Sequence, residues 1–222
     1  MKNQVDLYTG IHKGQRTRFS SISKAAGTLN LNDQNAISSL EAELISFRDH
    51  MHVHAGLEEK FIHPLLAERV PGGADRLNED HIVMRKTFDD LLACFGELKK
   101  KPADFEKRED LSQEFYLAWN RFIVFYFNHI NYEEENAATS LSKLCTNDEL
   151  LNVFRKVMAD QTPNQLMDNL TMMLPAMSLS ERLMILNQAK AAMPPEAFQA
   201  VLKLAEHVLA PEDWAALKNT MK

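Results

Sequence analysis

Two stretches of this chain share a spacing that suits chemistry. His54-x-x-x-Glu58-Glu59 and His129-x-x-x-Glu133-Glu134 each set an imidazole and a carboxylate four residues apart and add a second carboxylate. Four residues along an α-helix is about 6 Å, roughly one turn, so each His and its first Glu project from one face. A lone His stands ahead of each copy, His12 in one case and His81 in the other, so the pattern is a twofold internal repeat. These groups interrupt apolar rows that otherwise read as core. Burying a carboxylate without a partner is expensive, and ligating a metal is one standard way to offset that cost.

The donor set narrows the chemistry. Four imidazoles and two carboxylates suit two first-row ions, each taking two His, with Glu58 and Glu133 bridging. One further oxo or hydroxo bridge leaves each ion near five-coordinate, with a position open for a small ligand. Imidazole with carboxylate favours iron, with manganese or zinc as alternatives. Without thiolate ligands an iron–sulfur cluster or a Cys-rich zinc site does not fit.

The elements that must position these groups are helices. Apolar residues recur at spacings of three and four almost everywhere, and the aromatic run 122–127 fits a helix as well as a strand. A first helix from about Val5 to Thr28 carries the inward row Tyr8, His12, Phe19, Ile22, Ala26 and Leu29. Asn30–Asp33 forms a turn and supplies an N-cap. The second helix shows Leu40, Leu44, Phe47, Met51, His54, Glu58, Phe61 and Leu65, with Pro64 disturbing its last turns. After the break at Pro71-Gly72-Gly73, a third helix from about Ala74 to Lys100 presents Leu77, His81, Met84, Phe88, Leu91, Phe95 and Leu98. Residues 99–104, with Pro102, connect to a fourth helix reaching Leu144, with the row Phe115, Ala118, Phe122, Tyr126, His129, Glu133, Ala137 and Leu144. Four long helices with short connections predict an all-α fold, an antiparallel up-down-up-down four-helix bundle over residues 1–146. In that topology the six candidate ligands share one end of the bundle.

Here the residues resemble a known family. One His, then His-x-x-x-Glu, one His, then His-x-x-x-Glu on such a bundle is similar to the hemerythrin-like, or HHE cation-binding, domain. The resemblance covers about residues 1–146 and implies His12, His54, Glu58, His81, His129 and Glu133 as ligands of an oxo- or hydroxo-bridged pair of iron ions. It further implies a centre that meets dioxygen, nitric oxide or peroxide. Oxygen-carrying hemerythrins place a second His one turn after the third-helix His, where this chain has Arg85. They also end on an Asp five residues after the last His, where this chain has Glu134 and uses Glu133 instead. The six-ligand pattern is closer to relatives linked to iron-centre repair, to iron and oxygen sensing and to redox reactions. An oxidase- or peroxidase-type enzyme, or a repair protein, is the alternative reading, and whether the chain is an enzyme stays open.

Other side chains are candidates for supporting roles. His50 lies one turn before His54, as a fifth imidazole or an ordinary polar residue. Glu59 and Glu134 can hydrogen-bond ligand imidazoles or face solvent. Tyr8 and Tyr126, each a turn before a candidate ligand, can donate to a bound ligand, serve as a radical site or simply fill the seam. His52, His63 and His207 fall off the ligand faces and are expected at the surface, and Cys94 and Cys145 are expected to be inert thiols.

After Asn147 the texture changes to four or five short helices, in a C-terminal extension over 147–222. Ser178 and Glu181 read as a capping box. Methionines concentrate here, which fits a packing layer, a lid, or a surface for a protein partner or a second copy of the chain. Across all 222 residues, 25 Lys and Arg stand against 31 Asp and Glu, a formal net charge of −6. That balance offers no general footprint for nucleic acid or an anionic membrane. Two cysteines make no disulfide framework and suit a reducing compartment, and no apolar run approaches a membrane span or a secretory leader, so a cytoplasmic location is expected.

Overall fold

The computed structural model describes residues 5–100 and 105–221, and within them every regular element is helical. Part of the expected connection with Pro102 lies outside the described residues. No helix among the described residues is long and apolar enough to cross a membrane. Clustering of the backbone separates two compact units. One gathers Phe19–Asp160 with the short segment ahead of Tyr8; the other gathers Tyr8–Arg18 with Gln161–Lys222.

Helix α1 is Thr9–Gly27, α2 is Gln34–Leu57, α4 is Asp75–Lys99 and α5 is Phe105–Tyr132, with α3 the short His63–Arg69 and α6 Ala138–Leu144. Asp33 caps α2 as expected, its side chain accepting from the Asn35 and Ala36 amides. The core of the first unit is aromatic. Phe19, Phe47, Phe88, Phe95, Phe115, Trp119 and Phe122 are almost fully buried, and most of their rings meet edge-on or tilted, with Phe19 4.7 Å from Phe47 and 5.2 Å from Trp119. The third-helix row is buried throughout. In the fourth, Trp119 occupies the core while Ala118 is only half-buried, and beside α1 Leu31 is buried while Leu29 is not.

The main departure from a regular helical register lies directly after each Glu of the repeat. Glu58–Ile62 joins α2 to α3 as a π-helical turn, and Glu133–Ala137 joins α5 to α6 the same way. The His63 amide reaches back to the Glu58 carbonyl, and the Ala138 amide to the Glu133 carbonyl. A π turn accommodates one extra residue, so everything beyond it rotates relative to an α-helical count. Ile62 and Leu66 are therefore buried where Phe61 and Leu65 were expected, and Leu141 is buried while Leu144 is exposed. At the first turn Pro64 contributes, because it lacks an N–H and its ring clashes with the carbonyl four residues back in a regular α-helix. The second turn has no proline nearby.

Five short helices follow: α7 (Asn147–Ala159), α8 (Pro163–Ala176), α9 (Leu179–Ala192), α10 (Pro195–Val208) and α11 (Pro211–Thr220). Three begin with full capping boxes, Thr146 with Glu149, Thr162 with Gln165 and the expected Ser178 with Glu181. In the second unit Leu174, Leu186, Phe198, Val201, Ala205 and Leu217 form a mainly aliphatic core. The buried Arg182 closes the end of α8 by donating to the Leu174 carbonyl at 2.8 Å, and pairs with Asp213 on α11 at 3.0 Å. Met167 and Met193 pack against this core, whereas Met184 is exposed. A side chain on Gly14 would meet the Met172 backbone oxygen at 2.9 Å, so α8 lies against α1 at a distance only glycine permits.

Candidate metal centre

Five of the six ligands expected from the sequence converge within the first unit. Potential ligand atoms of Glu58, His81, His129 and Glu133 all lie within 4.8 Å of one another, and those of His54, Glu58 and Glu133 satisfy the same limit. The α2 register places His54 and Glu58 one turn apart, α4 supplies His81, and α5 with its π turn supplies His129 and Glu133. Glu58, His81, His129 and Glu133 are each no more than 2% exposed. His12 is fully buried on α1, with the Tyr8 ring 5.7 Å from its own. It stands in the half of the helix that clusters with the second unit.

Glu58 has the most telling geometry. Its Oε1 lies 3.3 Å from His54 Nε2 and its Oε2 3.4 Å from His81 Nε2, so its two oxygens serve imidazoles on different helices. Glu133 Oε1 lies 3.4 Å from His129 Nε2. The Nε2 atoms of His81 and His129 are 3.2 Å apart. Both rings turn their other nitrogen outward to a carboxylate: His81 Nδ1 is 3.0 Å from Glu59, and His129 Nδ1 is 3.2 Å from Asp80. An ionised carboxylate only accepts, so both Nδ1 atoms carry hydrogen. Two inward Nε2 atoms at this distance call for a positive charge between them, and a proton or a metal ion meets the need. Two imidazole nitrogens held about 2.0–2.1 Å from one ion at near a right angle lie about 3 Å apart, so the observed spacing fits a shared ion.

The electrostatics agree. Burial works against charge on His129, but Glu133, Glu58 and Asp80 outweigh it and raise the imidazolium pKa to about 9. Burial and the neighbouring Glu133 push the Glu58 carboxyl up, yet His54 and His81 together hold it below the ordinary carboxylate value. Two carboxylates buried together are costly unless paired, and a cation among them would offset that cost.

A family model for the hemerythrin HHE cation-binding domain matches residues 3–140. The chain belongs to this family. No curated protein and no solved structure gives a significant match. The matched region spans all six residues expected as ligands, and its His/Glu cluster fits the cation binding that the family description names.

The supporting residues divide. Glu59 reaches His81 on α4 rather than a ring of its own helix, and Arg85 grips both its oxygens at 2.8 and 2.9 Å. Burial pushes the Glu59 carboxyl up, but the Arg85 guanidinium holds it below its usual value. Glu134 is half-buried. His50 belongs to neither ligand group and stacks on His54 with ring centroids 6.3 Å apart. Tyr126 is buried with its ring 5.9 Å from that of His129. His207 is exposed and His52 half-buried.

His63 corrects the surface expectation. It is 3% exposed, its ring stacks 5.2 Å from His81, and its Nδ1 lies 2.7 Å from Asn78 Oδ1. The π turn carries it inward, and the one sequence signal of that turn is Pro64. Asp80 was also missed, because a residue adjacent to His81 sits about 100° away on its own helix and reads as solvent-facing. It backs His129 from the neighbouring helix instead. Arg76 lies 3.6 Å from Asp80 and stands over the Tyr132 ring at 4.1 Å. The Cys145 thiol is buried, Cys94 is half-buried, and burial pushes the Cys94 thiol up, away from reactivity.

Proposed function

We propose that this chain is a di-iron protein whose HHE domain is an antiparallel up-down-up-down four-helix bundle with a C-terminal helical extension. Its ligands are His12, His54, Glu58, His81, His129 and Glu133. The carrying observation is Glu58, whose two oxygens face His54 on one side and His81 on the other, the arrangement a bridging carboxylate needs. Glu133 belongs with both groups and would be the second bridge. His81 and His129 would serve one ion. His54 and His12 would serve the other.

Bound here, a pair of iron ions supplies one-electron redox chemistry and an open position for dioxygen, nitric oxide or peroxide. The protein's own part is to hold the donors in place, keep the Nε2 atoms of His81 and His129 directed inward, and exclude water with the aromatic core beneath. Arg85 stands where oxygen carriers have a further imidazole, which favours sensing or a stress-linked redox response over reversible transport.

The test is metal analysis of protein purified without added metal, then reduced anaerobically and exposed to dioxygen or nitric oxide. Two iron per chain with absorption changes on gas exposure are expected. Protein that takes up neither ferrous iron nor zinc overturns the reading.

A further inference from the structure

The two imidazoles that face each other are not held by their own helices alone. His81 Nδ1 donates to Glu59, which is clamped by the two-nitrogen fork of Arg85. His129 Nδ1 donates to Asp80, which faces Arg76. Glu59 and Arg85 are each about one-third exposed and Asp80 one-fifth, so both carboxylates sit at the rim of the buried cluster. The arrangement repeats a single idea with unrelated parts. One carboxylate comes from the π turn after α2 and acts on α4; the other comes from α4 and acts on α5.

We propose that Glu59 and Asp80 are positioning residues that fix the tautomer and ring orientation of His81 and His129, each steadied by an arginine. The inference rests on the di-iron reading above. Its physical basis is that an imidazole offers one nitrogen to a metal only when the proton is committed to the other, and a carboxylate acceptor commits it there. The His63 ring lies over His81 and limits rotation about the remaining axis. Helix α4 thus organises this half of the site: its segment from Arg76 to Arg85 holds one ligand, the acceptor for a second ligand, and both arginines. Neither carboxylate is among the gathered ligand atoms.

The experiment compares full-length wild type with Glu59→Ala, Asp80→Ala, Glu59→Gln and Asp80→Asn. Cobalt(II) serves as the probe, its affinity read by competition with a chelator and its ligand geometry by its visible spectrum. The alanine variants are expected to bind the ion roughly 10–100-fold more weakly, the range typical for losing such a support, with a changed cobalt spectrum. The amide variants keep an oxygen acceptor and should fall between alanine and wild type. They also carry the test if an alanine variant fails to fold. Arg85→Met should weaken binding in the same direction as Glu59→Ala and by less. Wild-type affinity and an unchanged spectrum in the Glu59 and Asp80 variants overturn the positioning role, as does lost thermal stability with wild-type affinity, which would make the pairs merely structural. Wild-type protein that binds no cobalt and no iron overturns instead the di-iron reading.

Discussion

Residues 54–66 and 129–141 open alike. Each runs His-x-x-x-Glu-Glu along one helix face, and each passes into a π turn at its first Glu. Beyond that they diverge. The first segment continues into His63 and Pro64, with His63 buried against His81; the second continues into Ala138, half-buried, with no proline. Glu59 backs an imidazole on α4, whereas the carboxylate behind His129 is Asp80, contributed by α4 itself. Residues that match in sequence are thus not matched in role. The repeat sets the six candidate ligands, because a candidate's place depends on spacing along one helix. The groups behind the ligands depend on which helix lies next, and that is not symmetric.

Substitutions can separate what the two halves share from what only one possesses. The largest effect falls on the shared element: Glu58→Ala and Glu133→Ala should each abolish the paired site, reducing bound iron from two ions per chain to at most one. Metal analysis that still finds two ions in either variant would remove that residue from the bridging role. Next comes the group found in one half only. His63→Ala strips a buried ring and its hydrogen bond to Asn78, and should destabilise the metal-free protein by about 1–3 kcal/mol in urea unfolding. A variant as stable as wild type would show that His63 is tolerated rather than required.

Smaller effects test the helices themselves. Gly56 lies between His54 and Glu58, and an added side chain there meets nothing outside the helix within 4 Å. Gly56→Ala should therefore stabilise by about 0.5–1 kcal/mol, since glycine inside a helix forfeits that much relative to alanine. A loss of stability would mean that the turn between the two ligands must flex. Pro64→Ala is the smallest. The second half forms its π turn without proline, so the substitution should leave metal content unchanged and cost about 0.4–1 kcal/mol through the unfolded chain. Lost metal in this variant alone would show that the first turn depends on its proline, and that the two π turns have different causes.

Much of this was legible beforehand, and the reasons are local. The third-helix row from Leu77 to Leu98 is buried as its spacing predicts, because α4 is regular from end to end. The Asp33 cap and the Ser178–Glu181 box form as read, since a cap depends on residues within one turn. The second row failed just past Glu58, and past Glu133 the fourth failed only at Leu144, Ala137 being buried as read. A period of 3.6 counts Phe61, Leu65 and Leu144 as inward, and a π turn breaks the count.

The sequence by itself determined the helical class, the family and the residues fit to ligate a cation, because each is written in spacing along single helices and in donor type. Only the tertiary structure decided that Glu58 divides its oxygens between His54 and His81, that Glu59 and Asp80 serve rings on other helices, and that His63 is buried. Those facts depend on which helix faces which and on a register shift of one residue, and no pattern confined to one segment encodes either.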